Sequence, residues 1–489
     1  MNVRSTAVQK WTKNLAIIIL VFNLFVKFFI SQNIVPYSIQ YLSDALLVIA
    51  FVGAAIIFFC SSKKTKKAIV LWFIPVFIFL LIEIISAVIN RSELLLFLWH
   101  IRNYYRLFAF MFIAIICFDM RDIRKFFNIG YWILILHTVL VTIQLISFYL
   151  DFDGNFFHQD YLNGIFGTTQ GYNTYSLIFL LVVSGYYAGC YLINECFKAR
   201  AYISFALAGL VVAFSELKVY YYLVIVFFAI LLLAKIVQKT RKKLLKKYIC
   251  FAGIIAASYL IMGLLYPYVF SFFFDSEILR EYIAKTSYGS EQITSIEVEQ
   301  EPIPTETIQA GDNETVLPST ETQPTENTET GNTKISEEES VTIPKVNRLS
   351  AITIIPEYFF EDGLDYLFGI GTGNAEYSKN EHFCSDTYRL YGGIDYNRFT
   401  FSILLLETGF LGILVFGLVF GVWFLRFGYC FLKCKTAEKP IYYLSFFISF
   451  VALIDIVYDA ALRSEASYFY GFAIAVGIIC WLKQGSTNE

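Results

Sequence analysis

Long apolar runs follow one another along almost the whole chain, from Leu15 to Trp481. A helix needs about 20 apolar residues to cross a hydrocarbon core of roughly 30 Å, and most of these runs reach that length. Of the 489 residues, 57% are hydrophobic and only 16% are charged. The pattern predicts an all-α integral membrane protein with many spans and no room for a soluble domain of ordinary size between them.

Clusters of lysine and arginine divide these runs regularly, and such clusters are retained on the cytoplasmic side. Threading the chain with its N-terminus inside predicts about twelve transmembrane helices in the cytoplasmic membrane, with both termini cytoplasmic. The run Leu15–Ile30 has no small-residue cleavage site after it, so we expect a retained helix rather than a signal peptide. The predicted spans are 14–31, 41–60, 68–90, 94–118, 126–149, 172–194, 201–215, 219–237, 248–273, 398–425, 440–459 and 467–482.

Two external segments are long under this threading: an external loop at 150–171 and one large loop at 274–397, between the ninth and tenth helices. Membrane parts at 1–273 and 398–489 flank the large loop. Within it, residues 290–345 carry thirteen acidic side chains and two lysines among many threonines and prolines. Such a segment cannot bury enough apolar surface to fold, so we expect a disordered, solvated tether there.

The sequence LFGIGTGNAEY at Leu367–Tyr377 raises the question of a phosphate-binding loop. A nucleotide-binding glycine loop needs a strand before it and a helix after it. Here a polar stretch follows, and the segment is predicted to be external, where nucleotides are scarce. We interpret it as a tight turn in which the glycines supply positive φ.

The positions of the cysteines do not indicate disulfide bonds or a metal site. Eight of the nine cysteines lie in apolar runs or at their lysine-rich ends, and only Cys384 lies in a polar loop. This distribution excludes a disulfide framework. We predict no metal site and no cofactor.

A resemblance to a known family begins at the same glycines. From Leu367 to Phe416 a G-I-G-x-G-N element, a polar stretch and NRFTFSILLLETGFLGILVF follow in order, and Glu407, Gly409 and Gly412 give the pattern E-x-G-x-x-G. This order resembles the signature that closes the large external loop of the O-antigen ligase and polymerase superfamily. The upstream segments GIFGTTQGYNTYSLIFLL at 164–181 and FSELKVYYYLVIV at 214–226 resemble two further elements of that superfamily.

The resemblance implies a membrane glycosyltransferase that uses sugars carried by undecaprenyl diphosphate, without a metal or a nucleotide sugar. Ligases of the superfamily carry a histidine where this sequence has Arg398, and this departure favours the polymerase branch. The implied activity is polymerisation of lipid-linked repeat units into O-antigen, capsule or exopolysaccharide on the outer face of the membrane. The implied partners are the lipid-linked oligosaccharide, membrane lipid, a flippase and a chain-length regulator, and no nucleic acid.

Arginine suits a lipid diphosphate because its planar fork meets phosphate oxygens bidentately. Arg102 and Arg106 lie one helical turn apart, although a pair within the bundle or snorkelling to the interface would also explain them. Lys218 has Glu216 as an alternative partner. The predicted substrate-binding residues are Arg102, Arg106, Lys218, Arg348, Arg389, Gly369, Gly371 and Gly373.

The predicted catalytic residues are His382, Arg398 and Glu407. A glycosyl transfer needs a base for the acceptor hydroxyl, and His382 has a suitable ordinary pKa. Other candidates by position are Glu376, Glu381, Asp386 and Asp395, with His158 a weaker one, while His137 fits a hydrogen-bonded histidine within a helix. Tyr388, Tyr391 and Tyr396 are suited either to stacking on sugar rings or to packing of the loop.

Three other functions fit the same pattern less well. A ligase that transfers finished glycan is disfavoured by Arg398. A flippase for the lipid-linked oligosaccharide would be expected to show internal repeats, and the chain shows none. A non-catalytic anchoring protein would suit the acidic segment, but charges at membrane depth are costly and usually functional.

Overall fold

The computed structural model describes residues 3–150, 161–168, 172–237, 244–266, 343–378, 380–434 and 437–487. Helices are the only regular secondary structure in these ranges, and eight of them are long and apolar enough to cross a membrane. The predictions of an all-α fold and of a multi-pass membrane protein are thereby confirmed. His158 and residues 290–342 of the predicted tether lie outside the described ranges.

Twelve helices of 17 residues or more occur within these ranges, and each overlaps one predicted span. That all twelve cross the bilayer stays a prediction. The helices are α1 Val3–Ser31, α2 Tyr41–Cys60, α3 Lys63–Ile89, α4 Leu94–Cys117, α5 Met120–Leu150, α6 Asn173–Asn194, α7 Lys198–Phe214, α8 Lys218–Val237, α9 Leu244–Leu265, α13 Thr400–Lys433, α14 Lys439–Tyr458 and α15 Ser467–Thr487; the shorter helices are α10 Ala351–Phe359, α11 Gly363–Phe368 and α12 Asp386–Tyr391.

Short connections make successive long helices antiparallel, so the bundle has two chemically different ends. At one end, which we call the basic end, lie the lysines and arginines at 63–67, 121–125 and 198–200. At the other, which we call the pocket end, the connections 32–40, 90–93 and 459–466 meet the first turn of α13. Every connection used by the site described below lies at the pocket end.

The centre of the bundle is formed by α6, α14 and α15, whose side chains are almost all buried. In contrast, α2, α3 and α5 expose many large apolar side chains, including Val48, Phe77 and Ile143. Such faces suit contact with lipid. The apolar periphery and the tightly packed centre therefore both fit a membrane-embedded bundle.

The described part of the large loop is folded against α13 rather than extended. Helix α10 and the segment around Ile394 pack on the buried ring of Tyr396, whose hydroxyl donates to the Ala375 carbonyl at 3.0 Å. The Val346 N–H donates to the Ile394 carbonyl at 2.7 Å. Residues 343–399 thus form a small apolar layer on the pocket end of the bundle.

Helix α13 is broken at Gly409, whose φ is +61°. The break brings α13 into backbone contact with the segment 367–377, which we call the glycine loop. A Cβ on Gly409 would lie 2.6 Å from Leu367 C, and a Cβ on Gly369 would lie 2.5 Å from Glu407 C. The break also frees the Leu406 carbonyl, which accepts from the Ile370 N–H at 2.8 Å. Only glycine permits both the left-handed backbone and this approach.

We predict that Gly409→Ala destabilises the protein, because the substitution combines an unfavourable left-handed residue with a clash against backbone atoms. Together these cost roughly 2–5 kcal/mol. The measurement is thermal unfolding of the purified protein in detergent. Gly417→Ala is the matched control, because it lies in the same helix with nothing within 4 Å of an added Cβ; an equal loss of stability in both variants would contradict the contact.

Candidate functional site

Four buried residues from α3, α4, the glycine loop and α13 form what we call the histidine–glutamate cluster: Glu83, His100, Glu376 and Glu407. His100 Nδ1 lies 2.6 Å from Glu407 Oε2 and 3.2 Å from Glu376 Oε1, and His100 Nε2 lies 2.8 Å from Glu83 Oε1. All four side chains are fully buried. One imidazole ring therefore joins three carboxyl groups that are far apart in sequence.

Each carboxylate oxygen of the cluster has a hydrogen-bond donor. Tyr105 donates to Glu83 Oε2 at 2.5 Å, Asn103 to Glu376 Oε2 at 2.9 Å and Arg463 to Glu376 Oε1 at 2.5 Å. Burying charge is costly unless it is paired and hydrogen-bonded. The complete set of donors explains how the bundle accommodates three buried carboxyl groups.

The glycine loop does bind an anion through its backbone, but that anion is a side chain of the same protein. Glu407 Oε1 accepts from the N–H groups of Gly373 at 3.2 Å and Ala375 at 3.0 Å. Successive backbone N–H groups that converge in this way form a concave anion site. Here the Glu407 carboxylate fills it.

This result revises the expectation that Gly369, Gly371 and Gly373 bind substrate. A Cβ on Gly371 would lie 2.6 Å from Asn90 Cβ, and one on Gly373 would lie 2.7 Å from the Leu96 backbone. The three glycines are therefore used for close packing against α3, α4 and α13. Glu407 is likewise buried, where it holds the loop.

The ligand atoms of His100, Glu376 and Glu407 lie within 4.8 Å of one another and could hold a metal ion. A nitrogen and two carboxylate oxygens suit Zn²⁺ or a related divalent ion. In this arrangement the same atoms already bond to each other and to neighbouring donors. An ion would have to displace those bonds.

Beside the cluster, at the pocket end, lies a cavity of about 240 Å³, which we call the arginine pocket. It is formed by the connection between α1 and α2, the first turns of α4, the glycine loop and the connection between α14 and α15. Its lining residues are Tyr37, Gln40, Tyr41, Trp99, Arg102, Asn103, Arg106, Tyr377, Ser378, Asn397, Ala460, Arg463, Ser464 and Glu465.

Three arginines line this pocket, and each pairs with a carboxylate of the protein. Arg102 Nη2 lies 2.5 Å from Asp44 Oδ2, and Arg106 Nη1 lies 3.0 Å from Glu465 Oε1. The Arg463 guanidinium pairs with Glu376 of the cluster. The arginines are thus fixed in position, with their guanidinium groups directed at one small volume.

A fourth cation lies at the back of the pocket. Lys27 of α1 is buried, and its Nζ lies 3.0 Å from Glu465 Oε2 and 2.8 Å from Gln40 Oε1. Among the charged residues that line the pocket, three arginines face one carboxylate, Glu465. The lining therefore carries more cations than carboxylates, and Asp44 and Glu376 pair with the arginines from behind it.

Two guanidinium donors of the pocket remain unused. Arg106 Nε and Arg463 Nε are buried, and within the described ranges neither has a hydrogen-bond acceptor. A buried donor left without an acceptor costs about 1–3 kcal/mol. Both atoms belong to residues that line the cavity.

Asn103 links the arginine pocket to the histidine–glutamate cluster. Its Oδ1 accepts from Arg102 Nη1 at 2.9 Å and from Arg106 Nη2 at 3.0 Å, while its Nδ2 donates to Glu376 Oε2 at 2.9 Å. Through this amide, a change in position of either arginine acts directly on the cluster.

Aromatic rings form one wall of the pocket. The ring of Trp99 stacks on Phe383 with centroids 4.3 Å apart, and the Arg102 guanidinium lies 4.4 Å from the Trp99 ring centroid. Tyr41 contacts Trp99 edge to face. This wall offers flat apolar faces next to charged groups, as ligands with both rings and phosphates require.

The charges around the pocket act on the titration of its acids. Burial alone would raise the pKa of Glu376, but the Arg463 guanidinium and the His100 ring lower it to about 2. Burial likewise opposes ionisation of Glu465, yet Lys27 and Arg106 hold its pKa well below the ordinary value. Both carboxyl groups are therefore ionised at neutral pH.

Of the residues predicted from sequence, Arg102 and Arg106 line the arginine pocket, and Glu376 and Glu407 belong to the neighbouring cluster. His137 bonds to Ser176 within the bundle, with Nε2 2.9 Å from the hydroxyl oxygen, as the sequence suggested.

The other predicted residues lie away from the pocket. His382 is exposed, and Arg398, 66% exposed, pairs with Asp395 at 3.0 Å. The remaining basic residues have local partners: Arg389 pairs with Asp386, Lys218 with Glu216, and Arg348 donates to the Tyr458 carbonyl.

Sequence reasoning missed Lys27, Glu83, His100, Arg463 and Glu465. Their signal was present, because a charged residue within an apolar helix or between two closely spaced helices is unusual. Lys27 and Glu83 lie in apolar runs just as Arg102 and Arg106 do, so the same criterion indicates them.

We predict that Glu407→Gln detaches the glycine loop from α13. The substitution places an amide N–H₂ or a neutral oxygen against His100 and removes one charge of a buried network, for which a loss of about 3 kcal/mol or more is expected. The measurement is thermal unfolding together with the rate of proteolysis between residues 343 and 399. Glu361→Gln, an exposed change in the same layer, should leave both unchanged; unchanged values for Glu407→Gln would contradict the assignment.

We also predict a dependence of stability on acid pH that is due to Glu376. Because the folded pKa of about 2 lies below the ordinary value of 4.5, ionised Glu376 stabilises the fold above pH 4.5. As the pH falls from 4.5 towards 2, about 3 kcal/mol of that stability is lost. Glu376→Gln should flatten this part of the curve, and exposed Glu381→Gln should not; identical curves for all three proteins would contradict the pairing with Arg463.

No family model matches this sequence, and no curated protein matches it either. The function of the site therefore has to follow from its own chemistry. That chemistry is a cationic pocket with unused guanidinium donors, an aromatic wall and a buried proton-binding cluster behind it.

Proposed function

We propose that the protein is a membrane glycosyltransferase that polymerises undecaprenyl-diphosphate-linked oligosaccharide repeat units into a surface polysaccharide. The arginine pocket carries this proposal. Its three arginines line a small volume that suits a diphosphate, and Arg106 and Arg463 each have a buried N–H donor without an acceptor in the described part of the chain. The resemblance of the segment 367–416 to the O-antigen ligase and polymerase superfamily supports the same reading.

In this proposal the diphosphate of the lipid carrier binds between Arg102, Arg106 and Arg463. Its oxygens accept from the free Nε–H groups and compete with the resident carboxylates for the remaining guanidinium donors. As the glycosidic bond to the diphosphate breaks, negative charge grows on the leaving oxygen. Fixed cations in a site of low dielectric constant stabilise that charge, and they need no reorganisation to do so.

The location of the pocket fits a lipid-borne substrate. It lies at the pocket end, opposite the lysines and arginines of the basic end, and the positive-inside rule places the basic end in the cytoplasm. With twelve spans and a cytoplasmic N-terminus, the pocket opens on the outer face of the membrane. The aromatic wall of Tyr41 and Trp99 would then face the first sugar rings of the repeat unit.

The acceptor hydroxyl needs a group that takes its proton. Glu465 lines the pocket itself, and Glu376 lies directly behind it, bonded to two lining residues, Asn103 and Arg463. Both are ionised, so either can accept the proton of a hydroxyl placed in the pocket. The exposed His382 takes no part in this scheme.

The test is the length of surface glycan in a deletion strain complemented with variants. We predict that Arg463→Gln loses long chains, with a fall in polymerisation of about a hundredfold or more. Arg463→Lys should retain part of the activity, because a lysine keeps the charge but not the two-pronged geometry. Glycan length on gels and the level of protein in membranes are measured together.

Arg398→Gln is the matched control, since it removes the same charge from the exposed head of α13. We expect this variant to make chains of normal length. Loss of long chains with Arg398→Gln but not with Arg463→Gln would contradict the arginine pocket and would indicate that Arg398 is the catalytic arginine, as the sequence predicts. Long chains that form but fail to reach an acceptor would indicate a ligase, and an unaltered glycan in the deletion strain would refute the enzyme altogether.

A further inference from the structure

A second cavity, of about 260 Å³, lies at the basic end, where α5, α6, α7 and α14 meet. Its walls are mostly apolar and include Tyr186, Tyr187 and Cys190 of α6. Two arginines, Arg124 of α5 and Arg200 of α7, line it as well. This cavity is at the opposite end of the bundle from the arginine pocket, and the proposed polymerisation does not use it.

The Arg200 side chain is held in place. Its Nη1 donates to Asn128 Oδ1 at 2.8 Å, and its guanidinium carbon lies 5.5 Å from the ring centroid of Tyr131 and 5.9 Å from that of Phe197. Tyr187 also hydrogen-bonds to Arg200, and these two partners satisfy only part of a guanidinium group, which has five donors. Arg124, one helical turn before Asn128, is exposed at the same cavity.

The cavity lies where apolar helices end. Three helices that are long and apolar enough to span a membrane, α5, α6 and α14, begin or end beside it. The boundary between hydrocarbon and head groups therefore falls at this level. The ring of Phe197, 51% exposed, lies next to the cavity, and its backbone is in the left-handed region with φ at +58°.

The left-handed backbone conformation of Phe197 is unfavourable for a bulky residue, and it turns the chain sharply between α6 and α7. Phe197 is also the residue that precedes α7, so no side chain caps the N–H groups of the first turn. One carboxylate, Glu438, also lines the cavity. The lining thus keeps one net positive charge on a largely apolar surface.

We infer that this cavity binds the phosphate head group of an anionic phospholipid, with the phosphate between Arg124 and Arg200 and the start of an acyl chain against the apolar wall. A free inorganic anion would use the arginines but not the apolar surface. A zwitterionic phospholipid carries the same phosphate, but its ammonium group adds a positive charge beside the two arginines. Only an anionic lipid matches the apolar wall and also compensates the net positive charge of the lining.

The test uses two cysteines of the full-length protein. Cys196 is exposed and lines the cavity, whereas Cys60, exposed at the end of α2, does not. The protein is reconstituted in vesicles of phosphatidylcholine alone or of phosphatidylcholine with phosphatidylglycerol, and alkylation by uncharged N-ethylmaleimide is followed by mass spectrometry. We expect phosphatidylglycerol to slow alkylation of Cys196 about fivefold or more, and to leave Cys60 unchanged.

Arg124→Gln should reduce this protection by about fivefold, the contribution of one cation near an anionic surface. Lys125→Gln, one residue further along and outside the cavity lining, should not. Arg124 is exposed, so its variant is expected to fold, and circular dichroism verifies this. Equal alkylation in both kinds of vesicle, equal protection in both variants, or protection by inorganic phosphate without lipid would each overturn the proposal.

Discussion

The functional end of this protein depends on a backbone contact in which Gly409 meets residues 367–368 and Gly369 meets residues 406–408, and on the Glu407 carboxylate beside it. The break in α13 at Gly409 lets the glycine loop reach the helix backbone, and Glu407, two residues before the break, then fills the concave site formed by the N–H groups of Gly373 and Ala375. A helix without this break would leave no room for the loop.

From that contact the other parts follow in order. Glu407 pairs with Nδ1 of the His100 ring, and Glu83 pairs with Nε2. Glu376, carried on the docked loop, reaches Arg463 from the connection between α14 and α15 and Asn103 from α4. The segment that carries the glycine loop is thus tied to three separate helical regions by buried polar and charged side chains. Removing one partner of such a network leaves an uncompensated charge, which is much more costly than the loss of an exposed pair.

Those features of the fold that depend on composition and periodicity could be predicted from the sequence. Apolar runs predicted the helices, with α2 matching its predicted range, and the costly charges of Arg102 and Arg106 pointed to a site. The sequence did not predict which side chains pair with each other when they are far apart in the chain. Arg463 meets Glu376 across 87 residues and His100 meets Glu407 across 307, and no local pattern contains such pairs. Arg398, next to the glycine loop in sequence, points instead to solvent and Asp395.

The central claim is that the arginine pocket recognises a lipid diphosphate, and binding to the purified protein tests it most directly. Native mass spectrometry in detergent would compare undecaprenyl diphosphate with undecaprenol, which has the same chain and no phosphate. If the diphosphate is held by paired guanidinium groups, it should bind about a hundredfold or more tightly than the alcohol, a difference of about 3 kcal/mol. Equal affinities would mean that the protein recognises only the polyprenyl chain, and would contradict the account.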